Sequence, residues 1–307
     1  MGSIGSLEMV LPGYREARER LAHRLRPAGI VDVTGAEREP FLQGQLTQDV
    51  RGMARGEVRP AAGLSPKGKL LFVARVVALE DRIRLLLPAV SREPVLDHLR
   101  KYAVFTKVTI EDRSGDFTRI GLYGPEGAQL PLPGPAVRLA GEGELSADVL
   151  IESDRLGEVE EALRTARSPK VPDETAEILR VEAGRPRFGV DMDSTNLPDE
   201  VGMDEAISTT KGCYVGQEIV ARVRTYGRVN RRLVRFRFPE GPIAAGEVLR
   251  RSDGESPSST EAGRVTSSVV SPRFGAIGLG YAFRDVPVGA RIVSVSKPEL
   301  SAVAGER

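Results

Sequence analysis

The sequence predicts an α+β chain that ends in a small all-β unit. Three observations carry this reading. Helical and strand patterns alternate up to Gly227 without the regular strand–helix rhythm of a parallel sheet. Apolar strand patterns follow one another across tight turns, as antiparallel pairs do. After Gly227 no helix is evident, and short strands separated by Gly, Pro and Ser turns continue for roughly 80 residues, as in a barrel or sandwich.

Taken in order, "YREARERLAHRL" reads as an exposed helix and "GIVDVTG" as a strand ending in a turn. "GAEREPFLQGQLTQDV" reads as a turn into a short helix with Phe41, Leu42 and Leu46 on one face. "KLLFVARVVAL" and "RIRLLLPA" are two strands joined by the "EDR" turn. "EPVLDHLRKYAV" is a helix that aligns Val95, Leu96, Leu99 and Val104, and "KVTIEDR" and "FTRIGLYG" are strands again. The Pro- and Gly-rich stretch "PEGAQLPLPGPAVRLAGEGELSADVL" reads as peripheral. "LGEVEEALRTA" and "PDETAEILRVEAG" are helices of a second α+β unit, the latter with Pro172, Asp173 and Glu174 in its first turn. "RRLVRFRF", "EVLRRS", "EAGRVTSSVVS", "AIGLGYAFR" and "ARIVSVS" are the strands of the last unit. The boundary is expected near Arg228, which gives regions 7–227 and 228–307.

Composition narrows the function classes. A chain of 307 residues holds two or three domains at roughly 100–200 residues each. Forty-four Lys and Arg face 43 Asp and Glu, so no bulk charge recruits nucleic acid or membrane. No secretory leader is read in "MGSIGSLEMVLPGYRE", and no stretch approaches the roughly 18 apolar residues of a membrane helix. One cysteine and two histidines, His23 and His98, give no metal-ligand spacing. A lone cysteine also fits a reducing, cytoplasmic setting.

That cysteine, Cys213, lies in "TTKGCYVGQEIVAR". Val215, Ile219, Val220 and Val223 recur at helical spacing, so a helix is expected from about Tyr214 to Tyr226. Cys213 then stands at the helix N-terminus, where backbone N–H groups and the charge of Lys211 favour a thiolate. A buried cysteine acting as a small hydrophobe is the other reading.

"KGCYVGQE" resembles the signature of the YgfZ family, folate-binding proteins that support iron–sulfur enzymes. "FLQGQLTQDV", "LSPKGKLLFVARV", "RVEAGRPRFGVDMDSTNLPDEVG" and "GRVTSSVVSPRFGAIGLGY" resemble that family's blocks in the same order. The resemblance runs from Leu7 to the C-terminus. It implies the fold of the glycine cleavage T-protein, with two α+β subdomains and a C-terminal β-barrel around a central folate channel.

The resemblance implies tetrahydrofolate or a one-carbon derivative as ligand. Its pterin edge would meet Glu200 of "LPDEVG", with Arg232 of "NRRLV" chosen over Arg231 as the second contact. Gln45, Thr47 and Asp49 line the channel or else brace a helix, and Lys67 meets a folate tail or is simply exposed. Cys213, Lys211, Tyr214, Gln217 and Glu218 form the functional motif. One departure stands out. The T-protein carries a catalytic acid where this chain has Leu71, Phe72, Val73 and Ala74, none of which takes a proton. The expectation is therefore an accessory factor, a monomer. Its partners are folate and iron–sulfur enzymes or assembly proteins, tRNA-thiolating ones among them, with no direct contact to nucleic acid or membrane. A tetrahydrofolate-dependent aminomethyl- or methyltransferase, with Asp49 as substitute acid, is the second reading. A redox-sensing module using Cys213 is the third.

Overall fold

The computed structural model describes residues 11–134, 136–252 and 257–306. Residues 7–10, the start of the region expected to bind folate, lie outside them.

The chain begins with α1 (Tyr14–Glu19) and β1 (Ala22–Arg26). "YREARERLAHRL" is thus half helix and half strand. Arg20 leaves the helical region at φ −139°, and Ala22–Arg26 pairs antiparallel with a later strand. The helix is not simply exposed either, because Tyr14 and Ala17 are buried.

β2 (Ala28–Thr34), α2 (Arg38–Gln45), β3 (Val58–Leu64), β4 (Leu70–Ala78), β5 (Arg82–Pro88), α3 (Arg92–Ala103) and β6 (Thr109–Asp112) follow. Their strands form a five-stranded sheet in the order β3-β4-β5-β2-β6. Period-two alternation sends Val31, Val33, Phe72, Val76, Leu85 and Leu87 to one face, where Phe41, Leu42, Leu96 and Leu99 of the two helices cover them. Ile30, Val77 and Leu86 take the opposite face. Val104 does not join Val95, Leu96 and Leu99. It lies just past the end of α3 and is 68% exposed.

β7 (Phe117–Tyr123), β8 (Val137–Ala140) and β9 (Leu145–Glu152) build a second sheet in the order β1-β7-β9-β8. The second half of the Pro- and Gly-rich stretch is therefore interior rather than peripheral. Its apolar run puts Ala147, Val149 and Ile151 under α4 (Leu156–Thr165), while Leu150 meets Ile30 and Leu86 of the first sheet. The first strand of the chain thus completes the second sheet, and the two units share a core.

α5 (Asp173–Glu182), α6 (Pro198–Val201) and α7 (Gln217–Thr225) lead to β10 (Arg231–Arg237), β11 (Val248–Ser252), β12 (Pro257–Ser271), β13 (Gly275–Phe283), β14 (Arg291–Ser294) and β15 (Ser301–Ala304). These strands close into a barrel in the order β10-β13-β12-β11-β14-β15, which removes free sheet edges. β15 has no counterpart in the sequence reading, because "SAVA" is too short to carry a pattern. Val181 of α5 packs on Ile277 and Leu279 of the barrel. A separate apolar seam joins Ala62, Leu64 and Leu70 to Ile207, Tyr214, Val220, Leu233 and Tyr281. Among the described residues, no helix is long and apolar enough to cross a membrane.

Candidate functional site

Three sequence segments meet around Cys213. An α-helix leaves its last carbonyls without intrahelical partners. At the end of α2, residues on both sides of Cys213 supply them. Lys211 Nζ donates to the carbonyls of Gln43, Leu46 and Gln48 at 2.8, 2.6 and 2.9 Å. The Val215 N–H donates to the Gly44 carbonyl at 3.1 Å. Upstream, the Ser208 N–H donates to Thr47 O, and Ser208 Oγ accepts from the N–H of Lys211. Tyr214 is buried in the seam, with the Lys211 ammonium 5.0 Å from its ring centroid. Gln217 Oε1 accepts from the Tyr214 N–H at 3.2 Å. Between these anchors Cys213 is exposed.

The third segment is the "SPKGK" turn. Gly68 (φ +70°) and Gly216 (φ +83°) lie against each other. A Cβ on Gly216 would stand 2.6 Å from Ser65 O, and one on Gly68 would stand 2.8 Å from Ile219. Only glycine fits such angles and contacts without strain. Gly212 differs, with open space where its Cβ would be.

The thiol environment departs from expectation in two ways. α7 begins at Gln217, with Gly216 as its N-cap, so Cys213 stands in the loop before the helix rather than at its first turn. The reason is the left-handed Gly216 that packing on Ser65 demands. The Lys211 ammonium is committed to three carbonyls and is not free to act on the thiol. Burial holds its pKa down to about 8, with Asp49 pulling the other way. Glu218 is exposed in the first turn of α7.

Glu200 occupies the third position of α6 and is 8% exposed. Asn196 Nδ2 and the Leu197 N–H donate to its Oε2 at 3.2 Å, and Arg231 Nη2 at 3.3 Å. Among the described residues, every donor to this carboxylate reaches Oε2. Arg231 also lies 4.8 Å over the ring of Tyr281. Arg232 points elsewhere, onto the carbonyls of Arg284 and Val286. The pleat turns adjacent strand residues to opposite faces, so Arg231, and not Arg232, stands beside Glu200.

A cavity of about 780 Å³ lies between the two sheets and the segment leading to α6. Ala61, Val73, Leu86, Phe188, Met192 and Met203 form its apolar wall. Val73 and Ala74 line it where the T-protein acid was expected, whereas Phe72 is buried in the core of the first sheet. Gly202 to Ala206 line the cavity just beyond Glu200, which is not itself on the wall. Gln45, Thr47 and Asp49 do not line it either. Gln45 Oε1 accepts from His98 Nε2 at 3.1 Å, and Thr47 Oγ1 donates to the Ala206 carbonyl at 2.6 Å. Asp49 Oδ1 accepts from Gln43 and from the Arg51 N–H. Burial pushes the Asp49 pKa up, but these bonds and the nearby cations bring it below the usual carboxylate range. Gln45 thus ties α2 to α3, and Thr47 and Asp49 brace the loop after α2. Lys67 is exposed in its turn.

Sequence reasoning missed the polar end of the cavity, where Arg26, Arg75, Arg119, Arg185 and Glu144 lie. One signal was present: Arg75 interrupts the apolar strand "LLFVARVVA".

Comparison with known proteins gives the family and the fold. The chain is 32% identical over 255 residues to the tRNA-modifying protein YgfZ of Escherichia coli O139:H28, covering 74% of each. The chain belongs to the YgfZ family. A member from Colwellia psychrerythraea is 27% identical over 263 residues, with 80% of each chain covered. An uncharacterized Haemophilus influenzae protein is 31% identical over 217 residues, 68% of this chain and 70% of that one. No protein-family model matches. Among solved structures, the glycine cleavage system aminomethyltransferase T of Bartonella henselae superposes with a TM-score of 0.85 at 19% identity, over 96% of this chain and 87% of that one. This YgfZ-family chain therefore has the aminomethyltransferase fold that its motifs implied.

Proposed function

We propose that this protein is a folate-binding accessory factor that serves iron–sulfur enzymes, in a role related to tRNA modification, with Cys213 as its working group. The observation that carries the reading is an exposed thiol on a loop fixed on both sides. Lys211 and Val215 hold the flanks to α2 while Cys213 stays open to solvent. A merely structural cysteine is usually buried. The relatives named tRNA-modifying proteins support the setting, and the iron–sulfur part follows from the family resemblance.

Tetrahydrofolate or a one-carbon derivative is the ligand of this reading. A cavity of about 780 Å³ is within the usual range for small-molecule sites, about 300–1,000 Å³. Its apolar wall suits a ring system. Glu200, with the Arg231 beside it, is the candidate for the pterin edge. Reaching the ligand requires the Glu200 carboxylate to turn toward the cavity past Gly202 and Met203. The T-protein fold favours a second reading, a folate-dependent transferase. Against it stand Val73 and Ala74 on the cavity wall, and an Asp49 held in a turn away from it.

The test is genetic. The Cys213→Ser variant, expressed in a strain lacking its own factor, is expected to leave iron–sulfur-dependent tRNA thiolation unrestored while the wild type restores it. Equal restoration by both overturns the role given to Cys213.

A further inference from the structure

Lys and Arg balance Asp and Glu over the whole chain, 44 against 43, but not around the thiol. From Cys213 to Arg232 there are five arginines and one acid, Glu218. Three of the five are occupied. Arg224 pairs with Asp199 and Asp204, each at 2.8 Å, and Arg231 with Glu200 at 3.3 Å. Arg232 donates to two carbonyls. Arg222 and Arg228 are exposed and, among the described residues, pair with no carboxylate.

The fold brings further cations to this face. Gly68 packs against Ile219, so Lys67 and Lys69 flank the first turn of α7. Lys67 is exposed and Lys69 half-buried, and among the described residues neither meets a carboxylate. Residues three, four and seven apart share one side of a helix. Arg222 and Tyr226 therefore continue the side that Ile219 begins, over about 10 Å. The Tyr226 ring is 89% exposed. Other arginines on the surface of this protein take an acid within one turn, as Arg15 does with Glu19, Arg155 with Glu158 and Arg164 with Glu161. The α7 face instead sets four cations without counter-charge beside a bare aromatic ring. Lys and Arg neutralise phosphates, and an aromatic face stacks an unpaired base, so this combination suits single-stranded nucleic acid. RNA is read mainly in such unpaired loops.

We propose that α7 and the Lys67–Lys69 turn form a docking face for an RNA loop, with phosphates on Lys67, Lys69, Arg222 and Arg228 and a base on Tyr226. Cys213 stands exposed on the loop that leads into the same helix, so the RNA would lie beside the thiol. The proposal rests on the tRNA-related reading above for the choice of RNA as the polyanion. The bulk charge balance, which gave no reason to expect a nucleic-acid partner, does not register a patch of this size.

Fluorescence anisotropy with a labelled, unmodified tRNA transcript and the full-length protein, from about 50 to 200 mM salt, tests this. The double variant Arg222→Gln/Arg228→Gln should bind about tenfold more weakly and flatten the logarithmic salt dependence by about 1.5. Tyr226→Ala should weaken binding about fivefold with the salt slope unchanged. Arg155→Gln/Arg164→Gln, which removes the same charge at α4, should bind as the wild type does. All these side chains are on the surface, and melting curves should show each variant folded. Absence of binding at the lowest salt overturns the proposal, as does equal weakening by the two double variants. Poly-glutamate that displaces the transcript at equal charge, with no effect of Tyr226→Ala, would make the face a dock for an acidic protein and overturn it too. The thiol is tested separately. Cys213→Ser should bind the transcript like the wild type, so loss of the RNA face leaves the thiol reading standing, and failure of the thiol reading leaves the RNA face standing.

Discussion

The Nζ of Lys211 lies 2.6 Å from the carbonyl oxygen of Leu46, across 165 residues of sequence. That bond and its two companions close the C-terminal end of α2 with a residue two positions from Cys213. The motif around the thiol therefore also holds the end of α2 and the turn that follows it.

Replacing Lys211 with Met should leave three carbonyls short of a donor and lower stability by about 3 kcal/mol or more. The pH dependence has a defined sign. The folded-state pKa is about 8 against 10.5 for a free lysine. Between these values the unfolded chain holds the extra proton, so this site's contribution to stability rises with pH. Below pH 8 the penalty for burying the ammonium is fully present. Urea midpoints of wild type and Lys211→Met, compared from pH 7 to 10.5, should show the wild type gaining relative to the variant.

Glycine substitutions should separate the two glycines beside Cys213. Gly216→Ala forces a Cβ to 2.6 Å from Ser65 O at φ +83° and should cost about 1–3 kcal/mol. Gly212→Ala meets open space and should change stability by less than about 0.5 kcal/mol. Thermal melts of the two variants check the contrast, and equal effects would contradict the packing described.

Because Cys213 is exposed, Cys213→Ser should alter stability by no more than about 0.5 kcal/mol. One thiol per native chain should react with iodoacetamide without denaturant. Slow modification that speeds up only on unfolding would show the thiol to be buried packing.

Glu200→Gln should lower tetrahydrofolate affinity by roughly tenfold, the loss of a charged hydrogen bond being about 1.5–3 kcal/mol. Arg231→Met should weaken binding as well, whereas Arg232→Met should not, because Arg232 spends its donors on the Arg284 and Val286 carbonyls. Isothermal titration of the three variants distinguishes them. A loss confined to Arg232→Met would reverse the assignment.

Incubation with an aminomethylated carrier protein and tetrahydrofolate should release no ammonia above background, given Val73 and Ala74 on the cavity wall. Release at an enzyme-like rate would favour the transferase reading and direct attention to Glu144 before Asp49, since Glu144 lines the cavity and Asp49 does not.

Much of this protein follows from its sequence by local rules. Period-two apolar patterns identify β2, β4, β5 and the barrel strands, and helical spacing identifies α2 and α3, because the alternation of side chains along a backbone is a property of the backbone itself. The "KGCYVGQE" segment and the apolar "LLFVAR" strand were legible for the same reason: each is a contiguous run. What the tertiary structure decided concerns pairs far apart in sequence. Whether Arg231 or Arg232 faces Glu200 depends on the parity with which β10 is set against α6, and alternation alone gives two equal answers. That Lys211 caps α2 depends on a loop 165 residues from Leu46 packing against that helix end, and the gathering of Arg26, Arg75 and Arg119 on Asp148 depends on four strands from two sheets. Charged residues carry no pattern that announces such partners. Their positions are fixed by burial, which requires every ion brought inside to find a counter-charge or a hydrogen bond wherever the fold supplies one.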